Sequence, residues 1–230
     1  MRIDLSRSAA LLGEEAMARL AVARVAVIGV GGVGSWCAEA LARTGVGHLT
    51  LVDDDVVSVS NLHRQILYDE SQVGEPKALM AQRRLSLLNS EVKVEAHVCR
   101  LTSENAESLA AGCDVLIDGC DNFATRFLLD DVSERMGIPY FYGAVRGFEG
   151  QAAVFGLGET PLRYRDLHPD REATLKMPHP GKQVVGMTPA VVGSVLATQV
   201  VQYVCGHNPS LAGRLWTINL LTMESAAFEW

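Results

Sequence analysis

Two groups of residues in this chain have the side-chain types and the spacing needed to hold and use phosphates. The first is a glycine run, Gly29-Val-Gly31-Gly32-Val-Gly34, with the acid Asp53 about 20 residues beyond its start, the interval at which a dinucleotide-type turn places a carboxylate on ribose hydroxyls. Glycine is needed there because a side chain would hold the backbone off the phosphates, whereas bare N–H groups at a helix start stabilise negative charge. NAD, FAD and ATP all present ribose and phosphate to such a turn, so the glycines do not choose among them.

The second group is more selective. After Asp53 come Asp54, Asp55, Asn61, His63, Arg64 and Gln65, then Lys77, and later the pair Asp121-Asn122. Arg64 offers a planar fork and Lys77 a point charge, and two such cations suit ATP better than the pyrophosphate of a dinucleotide. Asp55 or Asp121 has the chemistry to hold a magnesium ion that neutralises departing pyrophosphate. Asn61 and Gln65 would orient phosphate oxygens or an attacking carboxylate. Plainer roles exist for each: close packing for the glycines, a solvated charge for Lys77, a helix N-cap for Asp121-Asn122. His63 has no metal-ligand partner at helical spacing and is read as a non-ligand.

These residues need a scaffold of alternating strands and helices. Residues 24–28, 49–52, 92–98 and 114–118 are short apolar runs that read as strands, with helical patterns at 35–43, 77–88, 103–110 and 125–136 between and after them. Further strands are expected near 139–142, 151–155 and 214–219, a buried helix over 190–204, and a short leading helix over 8–20. The pattern predicts an α/β fold: a Rossmann-like, mainly parallel sheet with helices on both faces, its later strands mixed or antiparallel. One domain over 1–230 is expected, with an N-terminal helical arm at 1–22. Residues 158–186, rich in Pro, Arg, His and Asp and without period, read as a long crossover loop.

Composition narrows the class. The chain has 230 residues, 48% of them hydrophobic, enough for one large core. Its net charge of −7 gives no support to broad binding of nucleic acid or anionic membrane. No apolar stretch reads as long enough to span a bilayer without interruption. The five cysteines, Cys37, Cys99, Cys113, Cys120 and Cys205, are scattered and form no CxxC pair, so no zinc is expected and a reduced, cytoplasmic setting is. Cys205 is read as packing.

Taken in order, Gly29-x-Gly31-Gly-x-Gly34, Val52-Asp53-x-Asp55-x-Val57, Ser60-Asn61-Leu-x-Arg64-Gln65, Val73-Gly74-x-Pro76-Lys77 and Asp118-x-x-Asp121-Asn122 closely resemble the ThiF/MoeB/HesA adenylyltransferases. These activate sulfur-carrier proteins in molybdopterin and thiamine synthesis and are relatives of the ubiquitin-activating enzymes. The resemblance continues through Gly143-Ala144, Glu149-Gly150-Gln151 and the stretch from Met187 to Gly193. It implies that Asp53 contacts ribose, that Arg64, Gln65 and Lys77 handle the phosphates with Asn61 in support, and that Asp121 binds magnesium. It further implies that Arg7 reaches across a homodimer into the partner's nucleotide site. The implied reaction is attack by the C-terminal glycine carboxylate of a small ubiquitin-like sulfur-carrier protein, ending in Gly-Gly, on the α-phosphate of ATP. Pyrophosphate leaves and an acyl-adenylate remains.

The chain departs from that family in two places. Many relatives carry two zinc-holding CxxC pairs and a cysteine in the crossover loop; here Pro161-Leu-Arg-Tyr-Arg-Asp166 stands in place of the first pair and the loop has no cysteine. Adenylation without a thioester on that loop is therefore expected. Zinc-free relatives include tRNA threonylcarbamoyladenosine dehydratases, so adenylation of a tRNA-borne carboxylate stays open, as does a non-catalytic scaffold subunit. A nicotinamide oxidoreductase would share the glycine turn but leave Arg64, Gln65, Lys77 and Asp121 without a common purpose. In the crossover loop, His168, His179 and Lys182 are read as a solvated set, although His179 and Lys182 have the placement to clamp a peptide tail.

Overall fold

The computed structural model describes residues 3–159, 161–178, 181 and 183–229. Two helices, α1 (Ser6–Leu12) and α2 (Glu14–Val22), lead into the alternation β1 (Arg24–Ile28), α3 (Gly32–Thr44), β2 (His48–Val52), α4 (Lys77–Leu88), β3 (Lys93–His97), α5 (Ala106–Ala110), β4 (Val115–Asp118), α6 (Phe123–Met136), β5 (Tyr140–Arg146) and β6 (Glu149–Phe155). Then follow α7 (Tyr164–Leu167), α8 (Arg171–Lys176), α9 (Met187–Val204), β7 (Arg214–Asn219) and β8 (Glu224–Glu229).

Among the described residues, eight strands form one sheet in the order β3-β2-β1-β4-β5-β6-β7-β8. From β3 to β5 every pairing is parallel; β6, β7 and β8 are added antiparallel. The parallel part is mainly buried on both faces, as its apolar runs require. In β1 the side chains of Val25 and Val27 enter one core, beneath α3 and α9, while Ala26 and Ile28 enter the other, beneath α5 and α6. The strand order reverses between β1 and β4, which opens a crevice at their C-terminal ends, where such sheets hold ligands.

Four local features differ from the reading of the sequence. Gly13, with φ of 84°, breaks the leading helix into two. The crossover is not an irregular excursion, for it contains α7 and α8. Its anchor is Tyr164, fully buried among Phe127, Tyr140, Tyr142 and Phe155. Beside it Arg165 pairs with Asp130 at 2.6 Å and Glu134 at 2.9 Å, both on α6. A buried ring and a multiply bonded arginine thus fasten the segment where the CxxC pair was missing.

The third difference is α9, an 18-residue helix of mean hydropathy 1.2, long and apolar enough by those measures to cross a bilayer. Its place in the fold accounts for that composition. It covers the sheet and crosses α3 so closely that a Cβ on Gly193 would lie 2.7 Å from the Val33 carbonyl. The fourth is β8, which pairs with β7 along its whole length although its six residues are exposed.

A nucleotide-sized cavity at the sheet switch point

The crevice is built on interlocking glycines. Gly29 follows β1 with φ of 86°, and a Cβ there would lie 2.7 Å from the Gly119 carbonyl beyond β4. A Cβ on Gly119 or on Gly34 would come within 1.9 Å of the Gly29 carbonyl. The ends of β1 and β4 and the first turn of α3 therefore touch backbone to backbone. Gly29, Gly31 and Gly32 face a cavity of about 700 Å³, in the range of small-molecule sites. Gly34 is not among its lining residues; it serves the close crossing behind the turn. The hydroxyl of buried Tyr68 donates to the Val30 carbonyl at 2.8 Å and steadies the turn from below.

Asp53 follows β2 and accepts from the backbone N–H of Val30 at 2.8 Å and of Asp55 at 2.9 Å. Burial raises its pKa above the usual 3.8, the Lys77 ammonium opposing that shift in part. Lys77 itself opens α4 and is only 5% exposed, with Nζ 2.8 Å from Asp55 Oδ2. Backbone bonds from Lys77 N to Asp55 O and from Val57 N to Glu75 O zip the two segments together. Asp55, its side chain 71% exposed, is thus in contact with the lysine that shares the cavity wall.

The turn after β2 sets the next three groups. Asn61 Oδ1 accepts from Ser58 N in a reciprocal cap, which starts a short 3-10 turn over Val59–Asn61. Arg64 Nη1 donates to the Ser60 carbonyl at 2.6 Å and meets His63 Nε2 at 2.9 Å. The Arg64 carbonyl takes the Trp36 indole N–H, and Gly186 packs on the His63 carbonyl so tightly that a Cβ would come within 2.4 Å. Gln65 is 3% exposed, and its Oε1 is buried without a partner. A buried acceptor left unpaired on a cavity wall is costly unless a ligand or water completes it.

On the opposite wall, Asp121 and Asn122 follow β4. Asn122 Oδ1 accepts from Thr125 N at 2.9 Å and caps α6, so the plainer role holds for that residue. Thr125, Arg126, Gly143, Arg146, Glu149 and Gln151 also line the cavity, as do Cys99 and Arg100 after β3. Arg126 left one trace in the sequence: Asp118, a carboxylate ending an apolar strand, needs a cation nearby. Arg100 left none.

Asp53, Asp55, Asn61, Arg64, Gln65, Lys77, Asp121 and Asn122 therefore meet around one cavity. Arg7 does not. It lies exposed on α1, whose neighbour Leu5 packs at Gly45, the end of α3 remote from the cavity and roughly 20 Å along the helix axis. His168 joins the aromatic cluster around Tyr164, 5.0 Å from that ring. Cys205 is half-buried, its carbonyl accepting from Arg19. His179 and Lys182 lie outside the described residues.

The wall chemistry fits a nucleoside triphosphate: a glycine cradle that any Cβ would fill, a carboxylate at ribose distance in sequence, an orphaned amide oxygen and, among its cations, Arg64 and Lys77. Among the described residues no group of three or more His, Cys, Asp or Glu side chains is arranged to hold a metal alone. Magnesium does not need one, since one or two carboxylates plus substrate phosphates suffice. These features define a nucleotide-binding α/β protein with its site at the switch point.

Residues 5–230 match the ThiF family, and the chain belongs to it. It is an adenylyltransferase. It is 44% identical over 215 residues to the sulfur carrier protein adenylyltransferase of Thermus thermophilus, covering 89% of this chain and 77% of that protein. It is 39% identical to the SAMP-activating enzyme E1 of Haloferax volcanii, covering 92% and 78%. Likewise it is 39% identical to the probable adenylyltransferase/sulfurtransferase MoeZ of Mycobacterium tuberculosis, covering 93% of this chain but only 55% of that one. Among solved structures, PaaA superposes with a TM-score of 0.84 at 23% identity over 98% of this chain and 72% of its own. E. coli MccB with ATP does so with a TM-score of 0.84 at 20% identity, over 98% and 70%. At those identities the likeness is one of fold.

Proposed function

We propose that this chain uses ATP to adenylylate the C-terminal carboxylate of a small ubiquitin-like sulfur-carrier protein ending in Gly-Gly, with release of pyrophosphate. The observation that carries the reading is the convergence of Arg64, Lys77 and the orphaned Gln65 amide oxygen on the wall that also holds the glycine turn and Asp53. The Thermus and Haloferax relatives, named for sulfur-carrier and SAMP activation, support the class of acceptor.

In this reading Asp53 accepts from the ribose hydroxyls, the N–H groups at the start of α3 cradle phosphate, and Arg64 and Lys77 compensate charge on the triphosphate. Asn61 keeps the Ser58–Arg64 turn in shape and Gln65 contributes its amide to the nucleotide. Asp121 holds magnesium, which when bound supplies charge neutralisation on the departing pyrophosphate. The attacking carboxylate is already ionised at neutral pH, so no general base is required; the rate comes from alignment and from cations aimed at the α-phosphate. Arg7, remote from its own cavity, acts across a homodimer in the partner's site. Exchange of labelled pyrophosphate into ATP tests the reaction. It should depend on a carrier with an intact Gly-Gly end and vanish when the last glycine is deleted; exchange indifferent to every such carrier, with activity on modified tRNA, would reject the proposed acceptor.

A further inference from the structure

Asp118 ends β4 with 0% exposure. A buried carboxylate is tolerated only when compensated, and here every compensating group is identifiable. Its Oδ2 accepts from Arg126 Nε at 3.0 Å and from the Tyr140 hydroxyl at 3.0 Å; its Oδ1 accepts from Cys120 N at 2.8 Å. Arg126 in turn donates through Nη2 to the Cys120 carbonyl at 2.9 Å and to the Gly143 carbonyl at 3.3 Å. Its guanidinium carbon stands 5.2 Å from the Tyr142 ring centre.

Cys120 is therefore held at both ends, its N–H by Asp118 and its carbonyl by Arg126. That carbonyl belongs to the peptide bond that leads into Asp121. Because Arg126 lies one turn into α6, whose cap is Asn122, the loop over 119–122 is fixed from before and after the acidic residue. The bond to Gly143 ties the same guanidinium to β5, on another side of the cavity. A buried ion pair is a poor source of stability, since apolar replacements of equal volume are often neutral or better. What such a pair supplies is orientation.

We infer that Arg126, with Asp118, is a positioning residue that aims the Asp121 carboxylate at the metal accompanying the nucleotide. The role rests on the adenylylation reading and on Asp121 as the magnesium ligand. Groups behind a metal ligand typically change metal affinity about 10- to 100-fold when removed. Lysine in place of Arg126 can reach Asp118 or the Cys120 carbonyl but not bridge them with a planar fork.

Calorimetric titration with ATP, once with excess magnesium and once with a chelator, tests this without relying on turnover. Wild type should bind ATP more tightly with magnesium. Arg126→Gln should lose about tenfold or more of that gain, over and above any change in its affinity for metal-free ATP; Arg126→Lys should lose less. Tyr140→Phe, which removes one bond to Asp118, should shift the gain in the same direction by a smaller factor. If Arg126→Gln melts below the assay temperature, Arg126→Lys and Tyr140→Phe decide. Folded variants that keep the full gain would overturn the positioning role alone; a wild type with no gain would overturn it together with the assignment of Asp121.

Discussion

Replacing Lys77 by alanine perturbs the site at its most buried cation. The ammonium is 5% exposed and bonded to Asp55 at 2.8 Å in the free protein, so its position is set before nucleotide arrives. A hydrogen bond to a charged group is worth about 1.5–3 kcal/mol, which at about 1.4 kcal/mol per decade corresponds to a loss of roughly 10- to 150-fold. The larger part should fall on kcat for pyrophosphate exchange, because phosphate charge shifts most toward the leaving group in the transition state. Asp55, being mostly exposed, is rehydrated when its partner is removed, so the fold should survive. A thermal melt of the variant establishes that the protein compared is folded. An exchange rate within threefold of wild type in a folded variant would refute the role of Lys77 and the charge-compensation argument with it.

Further outcomes follow from the same geometry. ATP affinity should weaken on acidification at a pH above 3.8, because burial raises the Asp53 pKa and protonation removes an acceptor for ribose; Lys77→Ala, which deletes the opposing attraction, should move that transition higher still, as binding titrations across pH would show. The sign for the free protein is opposite: a carboxyl whose folded pKa lies above its unfolded one binds protons preferentially in the folded state, so this group favours folding as pH falls through the same window. Gly119→Ala must displace backbone, since the new Cβ would sit 1.9 Å from the Gly29 carbonyl; a cost of at least about 1–3 kcal/mol should lower the melting temperature by about 3 °C or more, and an unchanged melt would contradict the interlock. If Arg7 serves the partner's site, Arg7→Ala and Lys77→Ala should each be impaired alone yet recover about a quarter of wild-type exchange when mixed in equal amounts, as expected for a two-fold dimer with one restored site per heterodimer. No recovery on subunit exchange would leave Arg7 outside the site.

Much of this fold can be read before folding because its parallel strands are short apolar runs. Arg24–Ile28 and Lys77–Leu88 lie where the pattern puts them, since strand burial on two faces and helix periodicity leave strong local signatures. The glycine turn and Asp53 are legible for a different reason: each sits directly after a strand, and the Arg64–Lys77 cluster follows in the connection from β2 to α4, where residue type and spacing carry the chemistry. Tyr164 is illegible by either route. Its segment has no period, and only the aromatic pocket contributed by Phe127, Tyr140, Tyr142 and Phe155 gives it a place. Strand β8 is missed because Glu-Ser-Ala-Ala-Phe-Glu has no alternation to read; pairing with β7 defines it. Arg126 lies between, signalled by Asp118 but assignable only once the two are seen 3.0 Å apart.

The most direct measurement is the mass of a Gly-Gly-ended carrier after incubation with this protein, ATP and magnesium, with pyrophosphate counted alongside. The expected result is a carrier heavier by one AMP on its C-terminal carboxylate and one pyrophosphate released per adduct, both formed about 10- to 150-fold more slowly by Lys77→Ala. Formation of ADP and phosphate instead, or an unmodified carrier in the presence of bound ATP, would contradict adenylylation.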